Sequence, residues 1–257
     1  MKSASRSFQR LRFVPLFGLL AAAMAQAGPP QPAPVQVNLA GESTVAQWQA
    51  RTLEIHGLLR TGKSRNAIDA ADSLVREITQ QAAARTDLAQ LLAEPLSLRA
   101  VARAGAGKDR EALWDFQMAM ALWPGLDRAR LTGLGAGGAR LATLLDEAEK
   151  REVTFALAAE TIAHRKSEVT PPKPQRHDSP LYPESLQTVM KQGVAEIRFT
   201  LDEKGLLQSP QLVANNGQNA LFLLACMQAV RDWRFTPAKL RGEPIAVSYS
   251  LVLNYHR

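Results

Sequence analysis

Residues 193–205 read GVAEIRFTLDEKG, and the fold of the C-terminal part turns on them. Ala195, Ile197, Phe199 and Leu201 alternate with Glu196, Arg198 and Thr200. A period of two places the apolar set on one face of a strand and the polar set on the other. The following DEKG is turn chemistry, so Asp202 and Glu203 read as a solvated hairpin tip rather than a catalytic carboxylate pair.

Upstream, Tyr182-Pro183 opens a short helical pattern, PESLQTVMKQG, ended by Gly193. Downstream, LLQSPQLVANN gives a second strand, interrupted by Pro210. QNALFLLACMQAVRDW then reads as a helix whose apolar face includes Leu221, Leu224, Ala225, Ala229 and Val230. Its Cys226, the single cysteine of the chain, reads as a small core side chain. Finally IAVSYSLVLNYH alternates Ile245, Val247, Tyr249, Leu251, Leu253 and Tyr255 against smaller or polar residues. The order helix, strand, strand, helix, strand predicts a three-stranded antiparallel sheet with two helices on one face. Between the second helix and the last strand stands Trp233-Arg234-Phe235. Two residues apart in extended chain, Trp233 and Phe235 are expected to point together into the core, with Pro237 ending any helix.

This unit, residues 181–257, follows VTPPKPQRHDSP at 169–180, whose four prolines read as a linker. Residues 43–168 have a helical pattern instead. GKSRNAIDAADSLV from Gly62 and GKDREALWDFQMAM from Gly107 align without gaps, 45 residues apart. Ala112, Phe116, Ala119 and Pro124 of the second copy have the spacing of the second helix of a tetratricopeptide repeat. Small alanines let paired helices approach, Phe116 fills the space between them, and Pro124 stops the helix. A plain bundle of alanine-rich hairpins is the alternative. LTGLGAGGARL at 131–141 reads as a break between helices or a close helix contact; no strand precedes it, as a phosphate-binding loop requires. The fold class expected is therefore α+β: helical hairpin repeats, then a small sheet domain.

At the N-terminus, basic MKSASRSFQRLR precedes an apolar run over residues 13–25 and the pattern Ala25-Gln26-Ala27. That run is shorter than the ~20 residues a membrane span needs, so residues 1–27 are expected to be a cleaved secretory signal. An uncleaved anchor is the alternative. Residues 28–42 read as a proline-rich linker. The formal charge is +7, but four cations lie in the first 12 residues; without them +3 remains, too little to argue for nucleic acid. His56, His164, His177 and His256 have no metal-ligand spacing, and no nucleophile motif is present. No cofactor and no enzymatic activity are expected.

Tyr182-Pro183, GVAEIRFTLDEKG and AVRDWRFTPA, in this order and spacing, resemble the C-terminal domain of TonB-family proteins. The resemblance implies a periplasmic module that takes a short peptide, an outer-membrane receptor segment in the family, as an added strand beside the last strand. The implied contact residues are Tyr182, Pro183, Ile245, Ala246, Val247, Ser248, Tyr249, Ser250, Leu251, Val252 and Leu253. An unpaired strand edge is a template for such addition, and equally for homodimerisation by edge pairing. The resemblance departs from the family's energy transducers in lacking a long N-terminal span and spacer. The expectation is therefore a periplasmic interaction protein. An inner-membrane-anchored transducer, touching the membrane through its N-terminus, is the alternative.

Overall fold

The computed structural model describes residues 41–82, 85–163, 168–213 and 219–256. The expected signal sequence, nearly all of the 28–42 linker and His164 lie outside the described residues. The helical part comprises α1 (Glu42–Arg60), α2 (Ser64–Gln81), α3 (Leu88–Gly105), α4 (Asp109–Leu122), a 3-10 turn (Arg128–Gly133) and α5 (Gly135–Ala163). None of the described helices is long and apolar enough to cross a membrane.

The sequence repeat is a structural repeat. Gly62 and Gly107 adopt φ of +71° and +73°, a left-handed conformation open to glycine at little cost. At each, the same pair of hydrogen bonds closes the preceding helix. Gly62 and Lys63 donate to the carbonyls of Leu59 and Leu58, at 3.1 and 2.9 Å. Gly107 and Lys108 donate to those of Ala104 and Arg103, at the same distances. So α1–α2 and α3–α4 are matching antiparallel hairpins, consistent with the tetratricopeptide-like reading. Ala112, Phe116 and Ala119 are all buried between helices, as their spacing predicts. The glycine-rich segment proves to be close helix packing. A Cβ on Gly137 would stand 2.5 Å from the Val101 carbonyl oxygen, so α5 meets the backbone of α3 only because glycine stands there. An ion network ties three helices together: Arg99 on α3 grips Asp115 on α4 through two 2.7 Å hydrogen bonds and reaches Asp72 on α2 at 2.7 Å.

The C-terminal part runs β1 (Val169–Thr170), β2 (Lys173–Arg176), α6 (Glu184–Val189), β3 (Gln192–Leu201), β4 (Leu207–Leu212), α7 (Ala220–Arg231), β5 (Arg234–Thr236), β6 (Ala238–Leu240), β7 (Glu243–Ile245) and β8 (Val247–His256). The main sheet is antiparallel in the order β4–β3–β8. Its inner face carries the predicted Ala195, Ile197, Phe199 and Leu201, all buried, and α7 packs there. Asp202 holds the β3–β4 turn by accepting from the backbone N–H of Lys204 and Leu206, both at 2.9 Å.

Several local readings are corrected. The proline-rich residues 169–180 are extended, but β1 pairs with β6 and β2 with β5, so this stretch is laid against the C-terminal domain. The helix after Pro183 ends at Val189, and Gly193 already lies within β3. The last strand is broken at Ala246. Ile245 closes β7, opposite Ala238 of β6, and β8 begins at Val247 opposite Leu201. Trp233 is only half-buried, whereas Phe235 is buried. The two rings do share a side, with centroids 6.4 Å apart, but that side leaves the core at Trp233. There the indole N–H donates to the Asp178 carbonyl at 2.9 Å, and the ring meets His177 edge-on.

Candidate recognition edge

The three-stranded sheet has two edges, and they differ. β4 has six residues, and its register with β3 slips between Arg198 and Thr200. Ser209 adopts φ of +46°, and Pro210 lacks an N–H. Helix α4 also packs against this strand. A bulge, a proline and a covering helix are the usual means of blunting a sheet edge. β8 has none of these internal interruptions. It runs for ten residues in unbroken register with β3, from Val247 opposite Leu201 to His256 opposite Gln192. It pairs with no second strand among the described residues. Helix α5 contacts β8, though less extensively than α4 contacts β4.

Burial is asymmetric across this pair. On β3, Leu201, Phe199, Ile197 and Ala195 are fully buried. Their partners on β8, Val247, Tyr249, Leu251 and Leu253, are only half-buried. The apolar face therefore continues past the last backbone ladder onto side chains that are only partly covered. On the outer face, Ser248 and Ser250 are small and exposed, and Val252 is exposed at 57%. This face carries no charge on β8 itself between Val247 and Leu253 to repel an incoming strand.

The structure groups the residues named from sequence in two ways. Val247, Ser248, Tyr249, Ser250, Leu251, Val252 and Leu253 form one continuous edge. Ile245 and Ala246 stand before it, across the break. Tyr182 reaches the far end of the strand instead, while Pro183 stands at the start of α6. The Tyr182 ring packs edge-on to Tyr255, at 4.7 Å between centroids, and stacks on Phe222 at 5.9 Å. Its hydroxyl lies 3.9 Å from the Cys226 sulfur. Burial, then the neighbouring Cys226 and Tyr255, push this hydroxyl well above the ordinary phenol range. Tyr182 is thus a clamp between the segment before α6 and the end of β8, and Pro183 caps α6. The Cys226 thiol is itself pushed up to about 12 by burial, which leaves it a core side chain.

The third element of the resemblance has a local reason as well. A Cβ on Gly205 would fall 1.9 Å from the Phe235 carbonyl oxygen, and Phe235 donates its N–H to the Gly205 carbonyl at 3.2 Å. The glycine of the DEKG turn and the phenylalanine of the WRF stretch are therefore one contact. Residues 178–256 match the family of the Gram-negative bacterial TonB protein C-terminal domain. The matched region takes in α6, β3, β4, α7 and β5 to β8. No curated protein matches the chain. This TonB C-terminal family is a non-enzymatic one of protein interaction and transport in the cell envelope.

Two features of the site were missed from sequence. The strap at 173–178, which anchors Trp233, gave no signal beyond its prolines. The blunting of β4 was signalled only by Pro210. Among the described residues no cluster of three or more His, Cys, Asp or Glu could hold a metal ion.

Proposed function

We propose that this is a periplasmic interaction protein whose TonB-like domain takes an extended peptide or receptor segment by strand addition beside β8. The observation that carries this reading is the asymmetry between fully buried Ile197 and Phe199 and half-buried Leu251 and Tyr249 opposite them. An added strand would satisfy the outward backbone groups of β8 and cover that apolar margin. An outer-membrane receptor segment is the partner the family match favours, with a second copy of the chain as competitor for the same edge. The helical hairpins over 43–168 serve as a second binding region, followed by the proline-rich segment 169–180 and the TonB-like unit 181–257. The chain reaches the periplasm through a cleaved signal at residues 1–27.

The test is photo-crosslinking in the intact envelope, with a photoreactive side chain placed in turn at Ser248, Ser250 and Val252, and at Gln211 of β4 as control. Crosslinks to another polypeptide from β8 and none from β4 support strand addition. Equal yields from both edges, or none from either, overturn it. Release of the processed chain by osmotic shock tests the location, and retention of the full-length chain in the inner membrane counts against it.

A further inference from the structure

We propose that the cleft between α2, α3 and α7 binds an acidic, leucine-bearing stretch of a partner polypeptide. Open space of about 880 Å3 separates α2 and α3 from α7 and the segment before α6. Five arginines from four chain segments line it: Arg76, Arg99, Arg103, Arg176 and Arg231. No lysine does. The carboxylates facing this region are Asp72, Asp178 and Asp232 in the lining and Asp115 beneath it.

These carboxylates are largely committed. Asp115 accepts two hydrogen bonds from Arg99, and Asp72 accepts a third. Asp232 takes Arg231 through two more, at 3.0 and 2.9 Å. A surplus of donors remains. Arg76 is exposed and has no ion-pair partner among the described residues. Arg103 has a side chain only 13% exposed; its Nη1 stands 2.7 Å from Asp115 yet makes no aligned hydrogen bond there. Burial, and after it the like charges of Arg99 and Arg231, pull this guanidinium below its ordinary range despite the two aspartates. Among the described residues Arg176 pairs with Asp178 alone, and that pair is so exposed that it can be exchanged at little cost.

Guanidinium groups present a planar fork of donors that matches a carboxylate. The arginines alone would accept any small anion. The apolar surface narrows the occupant. Val75, Leu224 and Ala225 form buried floor, and Leu181 stands 91% exposed at the rim. A free anion would leave Leu181 in water. A chain alternating acidic and apolar side chains uses both the arginines and the leucine. The site is built from helical and TonB-like residues together and shares none of the β8 edge.

The experiment uses the full chain and a short fluorescein-labelled peptide alternating glutamate and leucine, with its glutamine counterpart as control. Fluorescence anisotropy is expected to show binding of the acidic peptide, weakening as salt rises, and at least about tenfold weaker binding of the glutamine peptide. Arg76→Glu combined with Arg176→Glu should lose at least about tenfold in affinity with no change in melting temperature, since both side chains are exposed. Leu181→Ser should weaken the acidic peptide as well. Equal binding of the two peptides, no binding of either, or full affinity in the charge-reversed variant overturns the proposal. Inorganic phosphate titrated alone that saturates the chain as tightly as the peptide overturns the peptide assignment.

Discussion

The indole N–H of Trp114, on α4, donates to the main-chain carbonyl of Met227, on α7, at 3.1 Å. One turn earlier on the same face of α4, Arg110 donates from Nη2 to the carbonyl of Arg231, the last residue of α7, at 2.8 Å. The Arg231 carbonyl is one of those that a helix C-terminus leaves without an internal partner, and a cation there also meets the negative end of the helix dipole. Nine of the twelve residues of α7 are buried, so the helix is covered on more than its sheet side. The core is accordingly one cluster from Trp48 to Tyr255. The TonB-like domain is built onto the hairpins rather than tethered to them.

Trp114→Ala should therefore weaken both parts at once. Truncating a buried tryptophan costs ~3–5 kcal/mol, whereas Trp114→Phe keeps most of the apolar contact and loses ~1 kcal/mol for the hydrogen bond. Urea unfolding followed by circular dichroism and by tryptophan fluorescence should give coincident transitions for the parent chain. Separate transitions would show that the two parts unfold independently.

What was legible in the sequence was periodic. The alternation from Ala195 to Leu201 marks a strand by its period of two, and the nearly uninterrupted apolar run from Ala220 to Val230 marks a buried helix by its length. The 45-residue repeat likewise marked the hairpins, since glycine is needed at both turns. What escaped was long-range. Lys173 and Thr236 are paired across 63 positions, and nothing local in KPQR announces a partner. The half-burial of Trp233 escapes for a related reason. Its ring does share a side with that of Phe235, but parity gives the side of a strand and not how far the core extends along it. The edge itself was legible as the last strand; its break at Ala246 was not, because the alternation runs on through Ile245.

Phe235→Ala and Trp233→Ala should differ accordingly. Phe235 is buried against Phe199 and Tyr249, with ring centroids 6.1 and 5.7 Å away, and its loss should cost ~3–5 kcal/mol. Trp233→Ala should cost clearly less and should raise hydrogen exchange over residues 173–178, which it pins through Asp178. Equal drops in melting temperature for both variants would place Trp233 in the core after all.

Cys226 should be inert in the folded chain. With its thiol pushed up to about 12, almost no thiolate exists at neutral pH, and the side chain is buried. Iodoacetamide should leave it unmodified in buffer and alkylate it in denaturant, as read by mass spectrometry. Rapid alkylation of the native chain would mean that the α7 core opens readily.

Acid should loosen the first hairpin. The buried Trp48 donates its indole N–H to Glu77 at 2.9 Å, and Arg51 pairs with the same carboxylate. Trp48 first, and Arg51 with it, hold the Glu77 carboxyl below its ordinary value of 4.5. The folded state therefore binds this proton more weakly than the unfolded state. The resulting stability is full above pH 4.5 and is lost as pH falls through the lower folded value. Glu77→Gln should lower the urea midpoint at neutral pH and flatten its fall on acidification. A parallel fall in parent and variant would assign the acid sensitivity to other groups.

The last prediction concerns the backbone of β8. Along an edge strand, successive residues turn their N–H groups alternately toward the neighbouring strand and away from the sheet. Ser250 and Leu251 are adjacent, mid-strand, and opposite Arg198 and Ile197 of β3. Proline removes an N–H, so Ser250→Pro and Leu251→Pro should have opposite outcomes. One deletes a rung of the β3–β8 ladder and should lower the melting temperature strongly. The other deletes an outward donor and should fold while losing a partner that binds by strand addition. Ser250→Ala and Leu251→Ala keep the backbone donors and separate side-chain packing from the ladder. They should retain the partner, with only the leucine variant losing stability, because Leu251 is half-buried and Ser250 exposed. Melting curves and envelope pull-downs on all four variants read both effects. If the proline variant that folds still captures its partner at parental levels, β8 is not the recognition edge. The half-buried row of Tyr249, Leu251 and Leu253 would then be the ordinary margin of a small core.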